Sequence, residues 1–344
     1  MKSPAAILVE QHQPLVVDEV ELPSLTTGQV LVELRTSRIC GSQIGEIDGV
    51  KGPDRYLPHL LGHEGGGVVL EAGPGVKRVR AGDHVVLHWR PAAGLQVQAP
   101  VYRWQGKDLN AGWVTTFNKL AVATENRLTV IPRDLDFEIA PLLADTLTTG
   151  FGIINNDAGV KIGESVVIFG CGGIGLGVVL GARLAGAHPI VAVDLFDHKL
   201  AKAREVGATH TINGRTSDVA DAIREIVGSG GADVTIDGTG TPRVIEMCYE
   251  LAAAKGRCIL FGVMAHDKKV ELHTLPLHHG RILTGSEGGG SRPHLDIPRI
   301  VRMIQAERFD PLTFISHRTK LEEINDTIAK MRSGEVIHAL ILFS

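Results

Sequence analysis

Short apolar runs separated by turn residues dominate the first 145 residues of the chain. Runs of this kind lie at 30–34, 67–70 and 84–87, and glycine, proline and aspartate residues stand between them. Apolar runs of this length bounded by turn residues are typical of β-strands joined by hairpins. We therefore expect the first 145 residues to form a small β-rich barrel.

The pattern changes in the middle of the chain, where runs of strand length alternate with stretches of helical length. The alternation predicts strands at 165–169, 189–194, 233–237 and 257–262, and helices at 176–187, 197–206 and 242–254. Such an alternation indicates an α/β fold, a doubly wound parallel sheet with helices on both faces. Two helices, 297–306 and 321–331, and a last strand, 339–343, are predicted after it.

Composition narrows the class of protein without identifying an activity. The 344 residues contain 35 Lys+Arg and 39 Asp+Glu, and the resulting net charge of −4 argues against a nucleic-acid or anionic-membrane partner. No apolar run reaches the roughly 18 residues of a membrane helix, and the N-terminal stretch is typical of a strand rather than a signal peptide. Four cysteines without a CxxC pair favour a reducing, cytoplasmic location.

One glycine-rich turn carries a nucleotide-binding pattern. Residues Gly170, Gly172 and Gly175 form GxGxxG directly after a predicted strand and before a predicted helix, which is the context that the pattern requires. Gly173 and Ile174 lie inside it. The glycines allow a tight turn, a close approach of pyrophosphate and close helix–strand packing. Asp194 ends the next strand, where a carboxylate binds the ribose hydroxyls and repels a 2′-phosphate, so the pattern predicts NAD rather than NADP.

Three residues that lie far apart in the chain are of types that bind zinc. Cys40, His63 and Asp145 offer a thiolate, an imidazole and a carboxylate, and three protein ligands with one open position are the catalytic zinc pattern. Ser42 and Glu64 stand beside the first two. Spacing alone does not separate these ligands from structural residues.

The motifs together resemble one family over essentially the whole chain. The turn Cys40-Gly41-Ser42, the motif Gly62-His63-Glu64-Gly65, and the glycine-rich turn at 170–175 occur in the order found in medium-chain dehydrogenases/reductases, zinc-containing alcohol dehydrogenase branch. The resemblance implies a catalytic GroES-like domain over 1–145, an NAD-binding Rossmann domain over 146–289, and a return to the catalytic domain over 290–344. It also implies hydride transfer between an alcohol and NAD.

The resemblance assigns roles to the candidate metal site. Cys40 and His63 match the first two zinc ligands, and Glu64 matches an acid beside the zinc, either a transient ligand or a neighbour of the ligands. Asp145 stands where the family commonly has a second cysteine, so it either binds the metal or only accepts hydrogen bonds. Ser42 matches the hydroxyl that takes the substrate proton.

Several positions depart from the family pattern. Gly45 stands where a relay histidine is common, and Gln43 replaces a common aspartate near the metal. Residues 91–112 hold none of the four cysteines of the family's second zinc lobe. We therefore expect one zinc ion per chain, and a catalytic one.

The resemblance also assigns cofactor contacts. Thr149, Ile174 and Val263 match positions that touch the nicotinamide, and Lys199 matches a residue near the adenosine ribose.

The substrate and the assembly stay open. Trp89 matches a pocket-lining position and Arg90 follows it, so the two either hold a polar or anionic alcohol or serve as packing and surface residues. Relatives are dimers or tetramers joined through an edge strand, for which 281–285 is the candidate. Two rival functions are a zinc-free enone or quinone reductase of the same superfamily and a non-catalytic NAD-binding protein.

Overall fold

The computed structural model describes residues 1–343, and these form two compact units. The first unit is Met1–Asp145 together with Arg292–Ser344, whose last residue lies outside the described part, and the second is Thr146–Ser291.

The first 145 residues are rich in strands, as the short apolar runs predict. They contain two helices, Gly41–Ile47 (α1) and Ala140–Ala144 (α2), and a short 3₁₀ turn at Glu125–Arg127. The strands are Lys2–Leu8 (β1), Val16–Glu21 (β2), Gln29–Ile39 (β3), His59–Leu60 (β4), Glu64–Ala72 (β5), His84–His88 (β6), Tyr102–Trp104 (β7), Lys107–Leu109 (β8), Leu120–Thr124 (β9) and Leu128–Val130 (β10).

The second unit alternates strands and helices. Its helices are Thr146–Gly152 (α3), Gly173–Leu184 (α4), Asp197–Val206 (α5), Val219–Val227 (α6), Pro242–Glu250 (α7) and Leu275–His278 (α8), with a π-helical turn at Ile153–Asp157 and a 3₁₀ turn at Gly288–Gly290. Its strands are Val166–Phe169 (β11), Ile190–Asp194 (β12), His210–Asn213 (β13), Ala232–Asp237 (β14), Ala252–Leu260 (β15) and Ile282–Gly285 (β16).

The C-terminal segment belongs to the first unit. It contains the helices Pro293–Gln305 (α9) and Ile324–Arg332 (α10), the strands His317–Thr319 (β17) and Ala339–Leu342 (β18), and the 3₁₀ turns Pro311–Phe314 and Leu321–Glu323. Strand β18 pairs antiparallel with β3, so the chain end completes a sheet that starts near the N-terminus.

Two sheets build the first unit. One has the strand order β4-β1-β2-β7-β8, and the other has the order β10-β6-β5-β3-β18-β17 with β9 also paired to β3. Strand β3 is central because it pairs with β5, β9 and β18, and its residues are nearly all buried. The cysteine at its end therefore emerges from a rigid part of the core.

The second unit contains one six-stranded parallel sheet in the order β13-β12-β11-β14-β15-β16. The strands are all parallel, and their order along the chain spreads from the centre to both edges, through β11, β12 and β13 on one side and β14, β15 and β16 on the other, which makes the sheet doubly wound. The predicted fold class, a Rossmann sheet with a β-rich GroES-like domain, is confirmed. The helix predicted at 242–254 is too long: it ends at Glu250, and strand β15 begins at Ala252 because that residue pairs with Ala232.

Candidate metal centre and cofactor loop

The candidate cysteine lies where the central strand meets a helix. Cys40 directly follows β3 and precedes α1, and its backbone N–H donates to Gln43 Oε1 at 3.0 Å. The amide nitrogen of Gln43 contacts Nδ1 of His63. The side-chain amide of Gln43 therefore links Cys40 and His63, the two residues that match the family's first two zinc ligands.

The candidate histidine lies in a turn that only glycine allows. Gly62 has φ +89°, and a Cβ at this position would lie 2.5 Å from Thr116 Oγ1 and 2.7 Å from the backbone N of Phe117. His63 follows this turn and Glu64 starts β5. The motif Gly62-His63-Glu64 is thus fixed by tight backbone packing as well as by its chemistry.

The third candidate ligand comes from 82 positions later in the chain. Asp145 directly follows α2, a fully buried helix that packs on β5 and β6. The structure brings Cys40, His63, Glu64 and Asp145 together, with one possible ligand atom of each within 4.8 Å of all the others. Asp145 Oδ2 lies 3.9 Å from both Cys40 Sγ and His63 Nε2, and Glu64 Oε1 lies 3.6 Å from His63 Nε2.

A buried ion pair adjoins this cluster. Arg38 in β3 donates to Glu64 Oε2 at 2.5 Å, and the two side chains are 2% and 0% exposed. The neighbouring strands β3 and β5 thus hold one oxygen of Glu64. The other, Oε1, is buried and has no hydrogen-bond partner among residues 1–343.

The cluster produces a strongly negative field. Burial lowers the pKa of His63, but the hydrogen bonds to Asp145 and Cys40 and the charges of Cys40 and Glu64 outweigh it and raise that pKa to about 10. Burial raises the pKa of the Cys40 thiol, while the charge of Arg38 and the hydrogen bond with His63 lower it to about 6. The site therefore favours a positive charge at its centre.

The donors fit a zinc ion. Thiolate, imidazole and carboxylate are the zinc ligands found in proteins, and a buried carboxylate oxygen without a partner is costly unless a cation or a proton joins it. With Cys40, Glu64 and Asp145 ionised and Arg38 charged, the site carries a formal charge of −2, which one divalent ion neutralises.

Ser42, the predicted proton acceptor, is the second residue of α1. Its Oγ is buried and has no hydrogen-bond partner in the part of the chain that the structure describes. A hydroxyl held in this way is able to bond an incoming polar group.

A large cavity reaches the cluster at His63, and Gln43 also lines it. Its volume is about 840 Å³, and it is lined by residues of the first unit that include the partly exposed aromatic residues Tyr56 and Trp113. Trp89 and Arg90, predicted to line the substrate pocket, are not among its lining residues. Trp89 instead donates its indole N–H to Asp145 Oδ1 at 3.2 Å.

In the second unit, the glycine-rich turn has the geometry expected of a pyrophosphate loop. Gly170 has φ +94°, and a Cβ on Gly175 would collide with the carbonyl oxygen of Gly170. A Cβ on Gly172 would meet nothing within 4 Å, so open space lies in front of that backbone. Gly173 and Ile174 open helix α4, whose first N–H groups point toward the loop.

The other predicted cofactor residues lie at different places in the second unit. Asp194 ends β12 and accepts from the backbone N–H of Cys171 at 2.7 Å, which fixes it beside the loop. Lys199 is in α5, with its ammonium group 4.8 Å from the ring centre of Phe196. Thr149 is buried in α3, which packs on α4, and Val263 follows β15 and is 58% exposed.

Sequence patterns of two domain families match the chain. The alcohol dehydrogenase GroES-like domain matches residues 26–133, and the zinc-binding dehydrogenase domain matches residues 173–306. The alcohol dehydrogenase class-3 of Cereibacter sphaeroides and the S-(hydroxymethyl)glutathione dehydrogenase of Paracoccus denitrificans are each 32% identical, over all of both chains. The chain belongs to the zinc-containing alcohol dehydrogenases of the medium-chain dehydrogenase/reductase superfamily.

Solved structures agree with this membership. An alcohol dehydrogenase zinc-binding domain protein from Burkholderia ambifaria is 29% identical, with a TM-score of 0.92 over 100% of this chain and 99% of the other. The benzyl alcohol dehydrogenase of Acinetobacter calcoaceticus, at 24% identity, shares the fold with a TM-score of 0.90 over both chains.

Two contacts near the site of this alcohol dehydrogenase are not evident from the sequence. Arg38 lies two positions before Cys40, beyond the predicted strand run at 30–34, and a basic residue in a buried strand is the signal that points to its buried partner. The contact between Trp89 and Asp145 leaves no local signal, because 56 positions separate the two residues.

Proposed function

We propose that this alcohol dehydrogenase oxidises an alcohol to an aldehyde or ketone with NAD, and uses one catalytic zinc ion per chain held by Cys40, His63 and Asp145. The observation that carries the proposal is the convergence of these three donors and Glu64 within 4.8 Å. The first unit, with its C-terminal segment, is the catalytic part. The unit Thr146–Ser291 is the NAD-binding part.

Zinc in such a site supplies Lewis acidity that lowers the pKa of an alcohol hydroxyl, and NAD supplies the hydride acceptor. The chain's own residues orient the reacting groups. Ser42 Oγ, buried and without a partner among residues 1–343, accepts the hydroxyl proton. The relay histidine of the family is replaced by Gly45, so water, the cofactor ribose or another group would carry the proton away.

Glu64 has a supporting role in this proposal. Arg38 holds its Oε2, while its Oε1 faces the cluster 3.6 Å from His63 Nε2. The acid therefore adds negative charge beside the metal.

The substrate is a bulky alcohol. A cavity of about 840 Å³ adjoins His63, and pockets of this size hold drug-sized molecules, far larger than a two- or three-carbon alcohol. Tyr56 and Trp113 offer aromatic walls, and Lys51 and Arg55 offer cationic groups that suit a polar or anionic tail. Arg90 remains a further candidate for such a tail.

NAD is preferred because Asp194 stands at the end of β12 beside the glycine-rich loop, where its charge repels a 2′-phosphate. Thr149, Ile174 and Val263 are the proposed nicotinamide contacts, and Lys199 is the proposed ribose contact.

The chain assembles as a homodimer or homotetramer in the cytoplasm. Strand β16 is the last strand of the parallel sheet, and Ile282 on it is 50% exposed, so a second copy has an edge to pair with. Among residues 1–343, no helix is both long and apolar enough to cross a bilayer. The four cysteines are all free thiols, as a reducing compartment requires.

The test combines metal analysis with a screen of alcohols. We expect about one zinc per purified chain and NADH formation with bulky polar or aromatic alcohols, and we expect Cys40→Ser to lose both the zinc and the turnover. Cys248→Ser removes a buried thiol outside the cluster and should keep both. Reductase activity without zinc would favour the enone reductase alternative, and NAD binding without turnover would favour a non-catalytic role.

A further inference from the structure

The indole of Trp89 contacts two members of the metal cluster. Its Nε1 donates to Asp145 Oδ1 at 3.2 Å, and its ring lies edge-on to the ring of His63 with 6.4 Å between the centroids. Trp89 follows β6 directly and is partly buried. It is therefore part of the wall around the cluster.

The two oxygens of Asp145 have different surroundings. Oδ1 accepts the indole hydrogen bond, whereas Oδ2 lies 3.9 Å from Cys40 Sγ and from His63 Nε2. The carboxylate is thus turned so that one oxygen faces the other donors and one faces the indole.

Trp89 is itself anchored at its backbone. The guanidinium of Arg127, which is 5% exposed, donates to the carbonyl oxygen of Trp89 and, at 3.0 Å, to Oε1 of Gln96. The guanidinium of Arg90 lies 5.4 Å from the centre of the Trp89 ring. These contacts fix both the backbone of Trp89 and the plane of its indole, so the N–H that donates to Asp145 is held in one position.

We propose that Trp89 is a positioning residue that restricts Asp145 to a single ligand oxygen. This inference rests on the proposed zinc site. A carboxylate binds a metal through one oxygen or through both, and a second oxygen would fill the position that a catalytic zinc keeps for substrate. The indole N–H occupies Oδ1 and so preserves three protein ligands and one open position.

The hydrogen bond from Trp89 matters because Asp145 stands where the family commonly has cysteine. A thiolate has a single donor atom and needs no such restriction, whereas a carboxylate has two. The indole hydrogen bond to Oδ1 therefore leaves Asp145 with a single donor oxygen, as a cysteine at this position would have a single donor sulfur. Partners of this kind orient metal ligands, and their loss typically costs about 10- to 100-fold in metal affinity.

The test is zinc affinity, measured on the full-length protein by competition with a chromogenic chelator. We expect Trp89→Phe, which keeps an aromatic ring but removes the N–H, to weaken zinc binding about 10- to 100-fold. The cobalt-substituted variant should have weaker visible absorption bands than the cobalt-substituted parent, because cobalt with more than four ligands absorbs less strongly.

Trp104→Phe is the matched control. Trp104 also donates its indole N–H to an aspartate, Asp18 Oδ2 at 2.8 Å, but at an exposed position outside the cluster, so its loss should leave zinc affinity and the cobalt spectrum unchanged. If Trp89→Phe does not fold, benzothienylalanine at position 89 provides the same test, because sulfur replaces the N–H in a ring of nearly the same shape.

The outcomes separate the two proposals. Parental zinc affinity and an unchanged cobalt spectrum in the position-89 variant would overturn the role of Trp89 while the zinc enzyme stands. A parent protein that binds no zinc would instead overturn the proposed function.

Discussion

Replacing Arg38 with methionine tests whether the buried charges around the metal cluster depend on one another. The substitution keeps an unbranched apolar stem but leaves Glu64 without the guanidinium that it contacts at 2.5 Å. Both side chains are at most 2% exposed, so water cannot replace the lost partner. We expect Arg38→Met to destabilise the first unit strongly.

The magnitude follows from burial. Removing one partner of a buried ion pair typically costs about 3–5 kcal/mol, because an uncompensated charge stays in the interior. The first unit has about 200 residues, for which each kcal/mol lowers the melting temperature by about 2–4 °C. The melting temperature of this unit should therefore fall by about 6–20 °C.

A surface pair gives the matched control. Arg318 donates to both oxygens of Glu138, as close as 2.6 Å, but the two side chains are 49% and 21% exposed. Arg318→Met should cost at most about 1 kcal/mol because solvent screens an exposed pair.

The assay is differential scanning calorimetry on protein treated with EDTA, so that bound metal is the same in all samples. The double variant Arg38→Met/Glu64→Gln should recover most of the loss, because no buried charge then lacks its partner. A single variant that melts like the parent, or a double variant no more stable than the single one, would refute the reasoning.

The loss should also depend on pH. Burial raises the pKa of Glu64, Arg38 lowers it, and Cys40 and Asp145 raise it again, so removing Arg38 raises it further. An acid whose pKa is higher in the folded state loses stability as pH rises through that value. The penalty of Arg38→Met should therefore be larger at pH 9 than at pH 6.

Two further predictions concern catalysis and cofactor binding. Ser42→Ala should lower kcat about 100-fold or more while zinc content stays at one per chain, since the side chain moves a proton and binds no metal; parental kcat in steady-state assays would contradict this. Gly172→Val should raise the Kd for NAD at least about 10-fold with little change in melting temperature, because its φ of −72° suits valine and the space it enters is empty in the chain; tight NAD binding by titration would show that pyrophosphate does not approach there.

Local sequence signals determined much of the fold. The strands β11, β12 and β14 and helix α5 lie close to their predicted positions, because buried parallel strands are continuous apolar runs and their helices have a distinct period. The glycine-rich turn was equally readable, since Gly170 adopts a positive φ within the turn and Gly175 has no room for a side chain beside the carbonyl oxygen of Gly170, five residues earlier. Patterns that extend over only a few neighbouring residues can be recognised without knowing which distant segments come into contact.

The end of helix α7 shows the limit of prediction from local sequence patterns. Residues 251–254 suit a helix by composition, but Ala252 pairs with Ala232 in the parallel sheet, and that pairing wins. Strand β3 likewise continues to Ile39, beyond the predicted run, because β5 and β18 pair with its polar second half.

The metal centre, too, was determined partly by the sequence and partly by the tertiary structure. Residue types and order identified Cys40, His63 and Asp145 as candidates from the sequence, but only the tertiary structure decided that their donor atoms lie within 4.8 Å of Glu64 and of one another. The roles of Arg38 and Trp89 beside them depend on contacts between strands and across 56 positions of chain. Such contacts are set by how the sheets pack, and packing leaves no periodic trace in a single sequence.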